Sequence, residues 1–431
     1  MTFHTIPTHM RPDFDEIFGI MLARGCGEHL FPGISNAKIE YWPTGETPDG
    51  RPMAEWVAKG YFPAIGIAGS ACDEHASPSQ SKADGECSAT LTARMLGVSD
   101  HPTLASILRL AVVSDTKAST GSFTIPGLVQ PLHRLFPNDP DRVMRWTVSG
   151  IRAKWVAEDA RISGKHTENV DSTPSEERVP FLDLVSRWIM AKFGGGAPVP
   201  VRVNPLAVLR HLGLERDEGL LPIAKFAKNY ANGTSLHPFS IAAITSLLYD
   251  VYPASVVEEW VSDALEARWN DQRLFLEARD EFNARAMKAT IFPDDGEVGG
   301  RVAFVDSDNE LMNKASRSHE CGGCQLLIQR NSSGKVQFFV DTKARLELRY
   351  IIGALRYEEQ LLAGTKISED PEVLECEGEV AGIPGLYYQR FEQGGQIIMI
   401  GGGLKYDRPR SRNSSEAFRR IVKEYLTFQT S

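Results

Sequence analysis

The feature that most restricts this chain lies near its start. An apolar, strand-like run, Phe3–Thr8, breaks into the polar turn His9-Met-Arg-Pro-Asp13 and resumes as an amphipathic helix from about Asp15. Ile17, Phe18, Ile20, Met21 and Leu22 supply the apolar face of that helix, and Asp15 and Glu16 favour its N-terminal turn by offsetting the helix dipole. A strand that feeds a helix through a short turn needs a sheet for the helix to cover, so the opening points to an α/β fold.

The alternation continues through about residue 135. Tyr61 to Ala68 reads as a buried strand running into Gly69-Ser-Ala-Cys-Asp73-Glu-His75. Glu86–Leu96 reads as a helix, and Ser106–Val113 as an apolar helix or strand ending at Ser114-Asp115. Helical periodicity then dominates, with helices expected over Asp141–Ala160, Val179–Phe193, Ser240–Val251 and Val256–Ala289. The polar stretch Ser163–Arg178 reads as a loop. From Arg301 the pattern returns to strands: Val302–Val305, Gln325–Gln329, Val336–Val340 and Gln396–Ile400, with a turn at Asn331-Ser-Ser-Gly334 and a closing helix over Ser415–Leu426. The expected layout is an N-terminal parallel-sheet domain over 1–138, a helical linker and insertion over 139–298, and a smaller C-terminal α/β domain over 299–431.

Composition narrows the class. With 42% hydrophobic and 24% charged residues the chain reads as an ordinary globular protein. A formal net charge of −9 excludes a generally basic nucleic-acid binder, though not a local basic cleft. Six cysteines in 431 residues do not make a disulfide scaffold. The start carries no basic segment followed by an apolar run, and no stretch approaches the ~20 apolar residues of a membrane span. The expectation is a cytoplasmic protein without membrane partners, its oligomeric state open between monomer and homodimer.

Three segments carry residues suited to metal chemistry. His9, Asp13 and Asp15 form His-x-x-x-Asp-x-Asp where a strand gives way to a helix. Two aspartates at i, i+2 can converge on one point across a turn, which a regular helix forbids. Asp73, Glu74 and His75 follow the second expected strand, and Asp115 follows the third apolar run. Read singly, each has an ordinary explanation, Asp13 as a turn residue and Asp15 as a helix cap. Together they match the tendency of open α/β sheets to build sites at strand carboxyl ends. Hard divalent cations prefer such oxygen ligands, and Mn²⁺ also accepts imidazole.

The order His-x-x-x-Asp-x-Asp, then Asp-x-His, then a lone Asp in Val-Ser-Asp-Thr resembles the DHH phosphoesterase superfamily, which includes RecJ-type exonucleases, nano-RNases, family II inorganic pyrophosphatases and Myg-type exonucleases. His9, Asp13, Asp15 and Asp115 match its first and last motifs. Glu74 stands where the signature Asp-His-His has a histidine, and Gly66 stands where the Myg-type proteins carry an aspartate. The resemblance implies a Mn²⁺- or Mg²⁺-dependent phosphoesterase with one or two ions held by His9, Asp13, Asp15, Asp73 and Asp115, with Glu74 as an additional ligand. It implies a catalytic set of Asp13, Asp73 and His75, the last contacting phosphate or protonating the leaving oxygen. It further implies a nucleic-acid or nucleotide substrate gripped by a Gly401-Gly402-Gly403 turn, with Arg408 and Arg410 as additional phosphate contacts.

Other signals carry less. His319-Glu-Cys321-Gly-Gly-Cys324 lacks a second cysteine pair for zinc, and Cys324 reads as a small core residue. Trp260, Leu265, Trp269 and Phe275 have helical spacing and read as packing residues. Two alternatives to the phosphodiesterase reading stay open: a phosphatase or pyrophosphatase acting on small phosphates, and a binding protein on a catalytically decayed scaffold.

Overall fold

The computed structural model describes residues 1–42, 47–67, 69–74, 85–117, 120–164, 172–195, 204–234, 236–291, 300–341, 344, 346–390, 396–400, 412 and 415–428. They form a mixed α/β protein of two compact units, Met1–Gln272 and Arg273–Ser431.

The first unit is organised around β1 (Thr5–His9). Strand β2 (Lys38–Trp42) runs parallel to it, with Thr5 opposite Lys38 and His9 opposite Trp42. On the other side of β1, residues 61–65 also run parallel, through bridges at Tyr61 and Ile65 and the amide bonds Phe62 to Thr5 O (2.8 Å) and Ile65 to Pro7 O (3.0 Å). The continuous strand expected over Tyr61–Ala68 is therefore shorter and interrupted. Pro63 has no amide to give to a ladder, and Gly66 turns the chain at φ +75°. The chain then folds back on itself, Gly66 N–H donating to Cys72 O at 3.0 Å.

Helix α1 (Phe14–Cys26) starts directly after β1 and buries Ile17, Phe18, Ile20 and Leu22. After α2 (Met53–Ala58), helices α3 (Ser88–Met95) and α4 (Ala105–Lys117) join the same core. The 106–113 segment is thus helical throughout. Gly19 allows α1 to lie close to its neighbours, since a Cβ there would be 3.1 Å from both Ile65 Cγ2 and Thr92 Oγ1. The remaining helices of this unit include α5 (Ile125–Leu135), α6 (Pro140–Ser163), α7 (Phe181–Phe193), α8 (Pro205–His211), α9 (Leu221–Ala231), α10 (Ile241–Leu248) and the first part of α11 (Ala254–Arg285). Within the loop expected over 163–178, residues 165–171 lie outside the described residues, and Ser175–Glu177 form a short 3-10 turn.

Helices α6 and α11 are joined by a stacked pair, Trp146 and Trp260, with ring centroids 4.4 Å apart and planes 1° from parallel. Each indole N–H donates to the other residue's carbonyl at 2.8 Å. Both polar tips are thereby satisfied in the core, and the stack adds about 0.5–1.5 kcal/mol beyond burial alone. Trp260, expected as a packing residue, is one.

In the second unit a seven-stranded mixed sheet has the order β3 (Met287–Ile291), β4 (Gly300–Asp306), β5 (Leu326–Arg330), β6 (Val336–Val340), β9 (Gln396–Ile400), β8 (Ile383–Arg390), β7 (Gly378–Val380). Strands β4 and β5 are parallel and the other neighbours antiparallel. The helix expected to continue to Ala289 ends at Arg285; Met287 onward pairs with β4, where Thr290 and Ile291 suit a strand better than a helix. Val302 and Phe304 enter one core while Ala303 and Val305 enter another, so both faces of β4 are covered. Cys321 and Cys324 are buried in the second of these cores. Among the described residues, helices α12 (Met312–Ser316), α13 (Arg349–Leu362), α14 (Pro371–Leu374) and α15 (Ser415–Phe428) belong to the same unit. Among the described residues, no helix is long and apolar enough to cross a membrane.

Candidate metal centre

The carboxyl ends of β1 and of the 61–65 segment open onto a group of acidic side chains. Asp13 caps the N-terminus of α1, and Asp15 and Glu16 lie in its first turn, where acids offset the exposed amide dipoles. Asp73 and Glu74 lie on the return loop after Cys72. Asp115 lies near the end of α4. One carboxylate oxygen from each of Asp15, Glu74 and Asp115 falls within 4.8 Å of the others. Three chain segments separated by long stretches of sequence thus deliver oxygens to one place.

Asp15 and Glu16 are 4% and 5% exposed, which makes their environment decisive. Burial pushes the Asp15 carboxyl well above its ordinary range, and the charges of Glu16, Glu74, Asp115 and Asp13 push it further. Glu16 is raised in the same way, by burial first and then by Asp13 and Glu74, with the Asp13 amide opposing. Carboxylates crowded out of water must take up protons or a cation. The donor set, oxygen throughout in the tight group, is of the kind that could hold a hard metal ion.

Hydrogen bonds fix this arrangement. The Ser88 amide donates to Asp15 Oδ2 at 3.1 Å, and the Ser88 hydroxyl to Glu74 Oε2 at 2.7 Å. The Gly69 amide donates to Asp73 Oδ2 at 2.9 Å. Gln130 of α5 donates to Asp13 Oδ1 at 2.6 Å, and the neighbouring buried His133 pairs through Nε2 with Pro12 O at 3.0 Å. His9 Nδ1 is in hydrogen-bond contact with Glu16 Oε1. Burial lowers the His9 pKa, while Asp13, Asp73 and Glu74 oppose that shift.

Of the residues expected from sequence, Asp15, Glu74 and Asp115 form the tight group, with Glu74 a full member. His9, Asp13 and Asp73 fall outside that group, and the charges of Asp13 and Asp73 act on His9. His75, Gly401, Gly402, Gly403, Arg408 and Arg410 lie outside the described residues. Glu16, Ser88 and Gln130 were not anticipated. Glu16 had read as a first-turn acid of α1, and Ser88 and Gln130 reach the site across 73 and 117 positions with no local pattern to mark them.

Comparison with family models, with curated proteins and with solved structures finds no match to this chain.

Proposed function

We propose that this protein is a divalent-metal-dependent phosphoesterase of the DHH kind, a phosphodiesterase or exonuclease acting on RNA, DNA or short oligonucleotides. The observation that carries the reading is the convergence of Asp15, Glu74 and Asp115 at the carboxyl end of a parallel strand pair. Asp15, Glu74 and Asp115 would hold Mn²⁺ or Mg²⁺, with His9, Asp13 and Asp73 beside them. A bound ion supplies Lewis acidity and a counter-charge for phosphoryl oxygens. The chain's own residues do the rest: Ser88 and Gln130 aim carboxylates, and Asp13, at the exposed rim, faces incoming substrate. All of these residues lie in the first compact unit, Met1–Gln272.

Glu74 in the tight group favours retained metal binding over a decayed scaffold, since a carboxylate replaces the family's histidine with another ligand. The test measures Mn²⁺ binding by calorimetry and product release from a short oligonucleotide, pyrophosphate and adenosine bisphosphate. Stoichiometric binding with oligonucleotide cleavage is expected. Cleavage of pyrophosphate alone would move the assignment to a small-molecule phosphatase, and absence of binding would refute the metal reading.

A further inference from the structure

Glu16 lies among the acidic residues yet has both oxygens committed locally. Its Oε1 contacts His9 Nδ1, and its Oε2 accepts the Asp13 amide at 3.1 Å. Gly66 provides the space for this. Its backbone has φ +75°, and a Cβ placed there would lie 2.2 Å from Glu16 Oε1 and 2.7 Å from Glu16 Cδ. The carboxylate therefore rests on the bare face of Gly66, against the end of the 61–65 segment, with His9 and the start of α1 on its other sides.

A histidine ring whose Nδ1 is engaged by a carboxylate has one nitrogen left to bind a cation. The carboxylate also fixes the ring's rotation and makes the free nitrogen a better donor. The other charges acting on His9 come from Asp13, Asp73 and Glu74, the last a member of the tight oxygen group. We propose that Glu16 is a positioning residue, which holds His9 through Nδ1 so that Nε2 is the nitrogen presented to the metal. This rests on the metal reading above and adds His9 to the three carboxylates, naming the atom that binds and the residue that selects it. No bond to the reacting phosphate is asked of Glu16.

The distinguishing property is dependence: a positioning residue acts only through the residue it positions. Mn²⁺ affinity is measured by calorimetry for wild type, E16A, E16Q, H9A and the E16A/H9A double variant, with circular dichroism confirming that each is folded. E16A is expected to weaken binding about 10- to 100-fold. E16Q, which keeps the shape and one acceptor oxygen, should lose less. In H9A the further change E16A should have little effect, so the two losses do not add. Histidine ¹⁵N spectra with Zn²⁺ as a diamagnetic probe should show Nε2 coordinated and Nδ1 still protonated.

Additive losses would make Glu16 a ligand in its own right and overturn the proposal, as would coordination through Nδ1 or wild-type affinity in a folded E16A. If wild type itself binds no Mn²⁺, the metal reading has failed and the proposal falls with it. That outcome differs visibly from wild-type binding with an inert Glu16.

Discussion

The backbone amide of Ser88 points at the Asp15 carboxylate from 3.1 Å, so the first turn of α3 faces a buried acid in the first turn of α1. The Ser88 hydroxyl is free of that duty and instead donates to Glu74. Changing Ser88 to Ala removes only the second bond, because the amide remains. Mn²⁺ affinity should fall about tenfold with the fold intact, as expected for loss of a bond that orients a ligand. Calorimetry with a thermal melt checks both parts. Unchanged affinity would mean that Glu74 is held in place without Ser88.

Asp15 is the most confined of the three oxygens, and its substitution separates binding from stability. Asp15→Asn should abolish measurable Mn²⁺ binding and lower phosphoester hydrolysis at least ~100-fold, in keeping with loss of a ligand rather than of a supporting group. The metal-free variant should nevertheless be about 1 kcal/mol more stable than wild type at pH 7.5, since a buried charge among like charges has gone. Asp115→Asn should share the loss of binding. Denaturant melts in EDTA measure the stability; a destabilised metal-free Asp15→Asn would show that the carboxylate is supported in another way.

The same shifts set a pH dependence. The Asp15 and Glu16 carboxyls are raised in the folded state, so each takes up protons on folding. Their contribution is most favourable below the ordinary carboxyl range, around pH 4, and is lost as pH rises from there through the raised folded values. Without metal, wild type should therefore lose stability relative to Asp15→Asn as pH goes from 5 to 8. Saturating Mn²⁺ should reduce the difference. Melting temperatures of both proteins across that range, with EDTA and with Mn²⁺, test the sign; a gap that narrows with rising pH in EDTA would contradict it.

Gly66→Ala places a methyl where Glu16 sits, in a backbone conformation that disfavours any Cβ. A loss of about 1–3 kcal/mol in stability is expected, together with weaker Mn²⁺ binding. Gly97→Ala, at φ +69° with nothing within 4 Å of the added Cβ, is the control for strain without displacement. Comparable loss of Mn²⁺ affinity in both variants would show that Glu16 is not being moved.

The thiols offer a check on the core around the site. Burial pushes Cys72 up to about 11 and Cys87 up to about 12, Asp15 adding to the latter, whereas Cys376 is exposed. Iodoacetamide at pH 8 should modify Cys376 first and leave Cys72 and Cys87 intact until unfolding, because the reactive species is the thiolate. Peptide mass spectrometry gives the order. Early labelling of Cys87 would mean that the start of α3 opens readily.

What could be read from sequence followed the range of each interaction. The strand-turn-helix at residues 3–26 was legible because hydrophobic period, polar turn and first-turn acids all lie within a few residues. The helices over 141–160 and 179–193 were legible for the same reason, with Pro140 and Phe181 moving the starts by one or two residues. Tyr61–Ala68 was read as a full strand because its apolar content outweighed Pro63 and Gly66, whose backbone chemistry ends the pairing at Ile65. β8 was missed: its Ile383-Pro-Gly-Leu-Tyr-Tyr start contains strand breakers, and its pairing with β9 supplies what local pattern lacks. In the site, Asp15 and Asp115 stood out by residue type and position, and Glu74 as a departure from a motif. Glu16 did not, because an acid in a first helical turn already has a sufficient local explanation.

The glycine at position 66 bears on how such chains are compared. Read along the chain, position 66 offers the pocket no side chain at all. Matching by volume finds the carboxylate of Glu16 in that space, brought from the neighbouring helix. Positions 16 and 66 therefore share one volume: the reach of the Glu16 side chain depends on the absence of any side chain at 66.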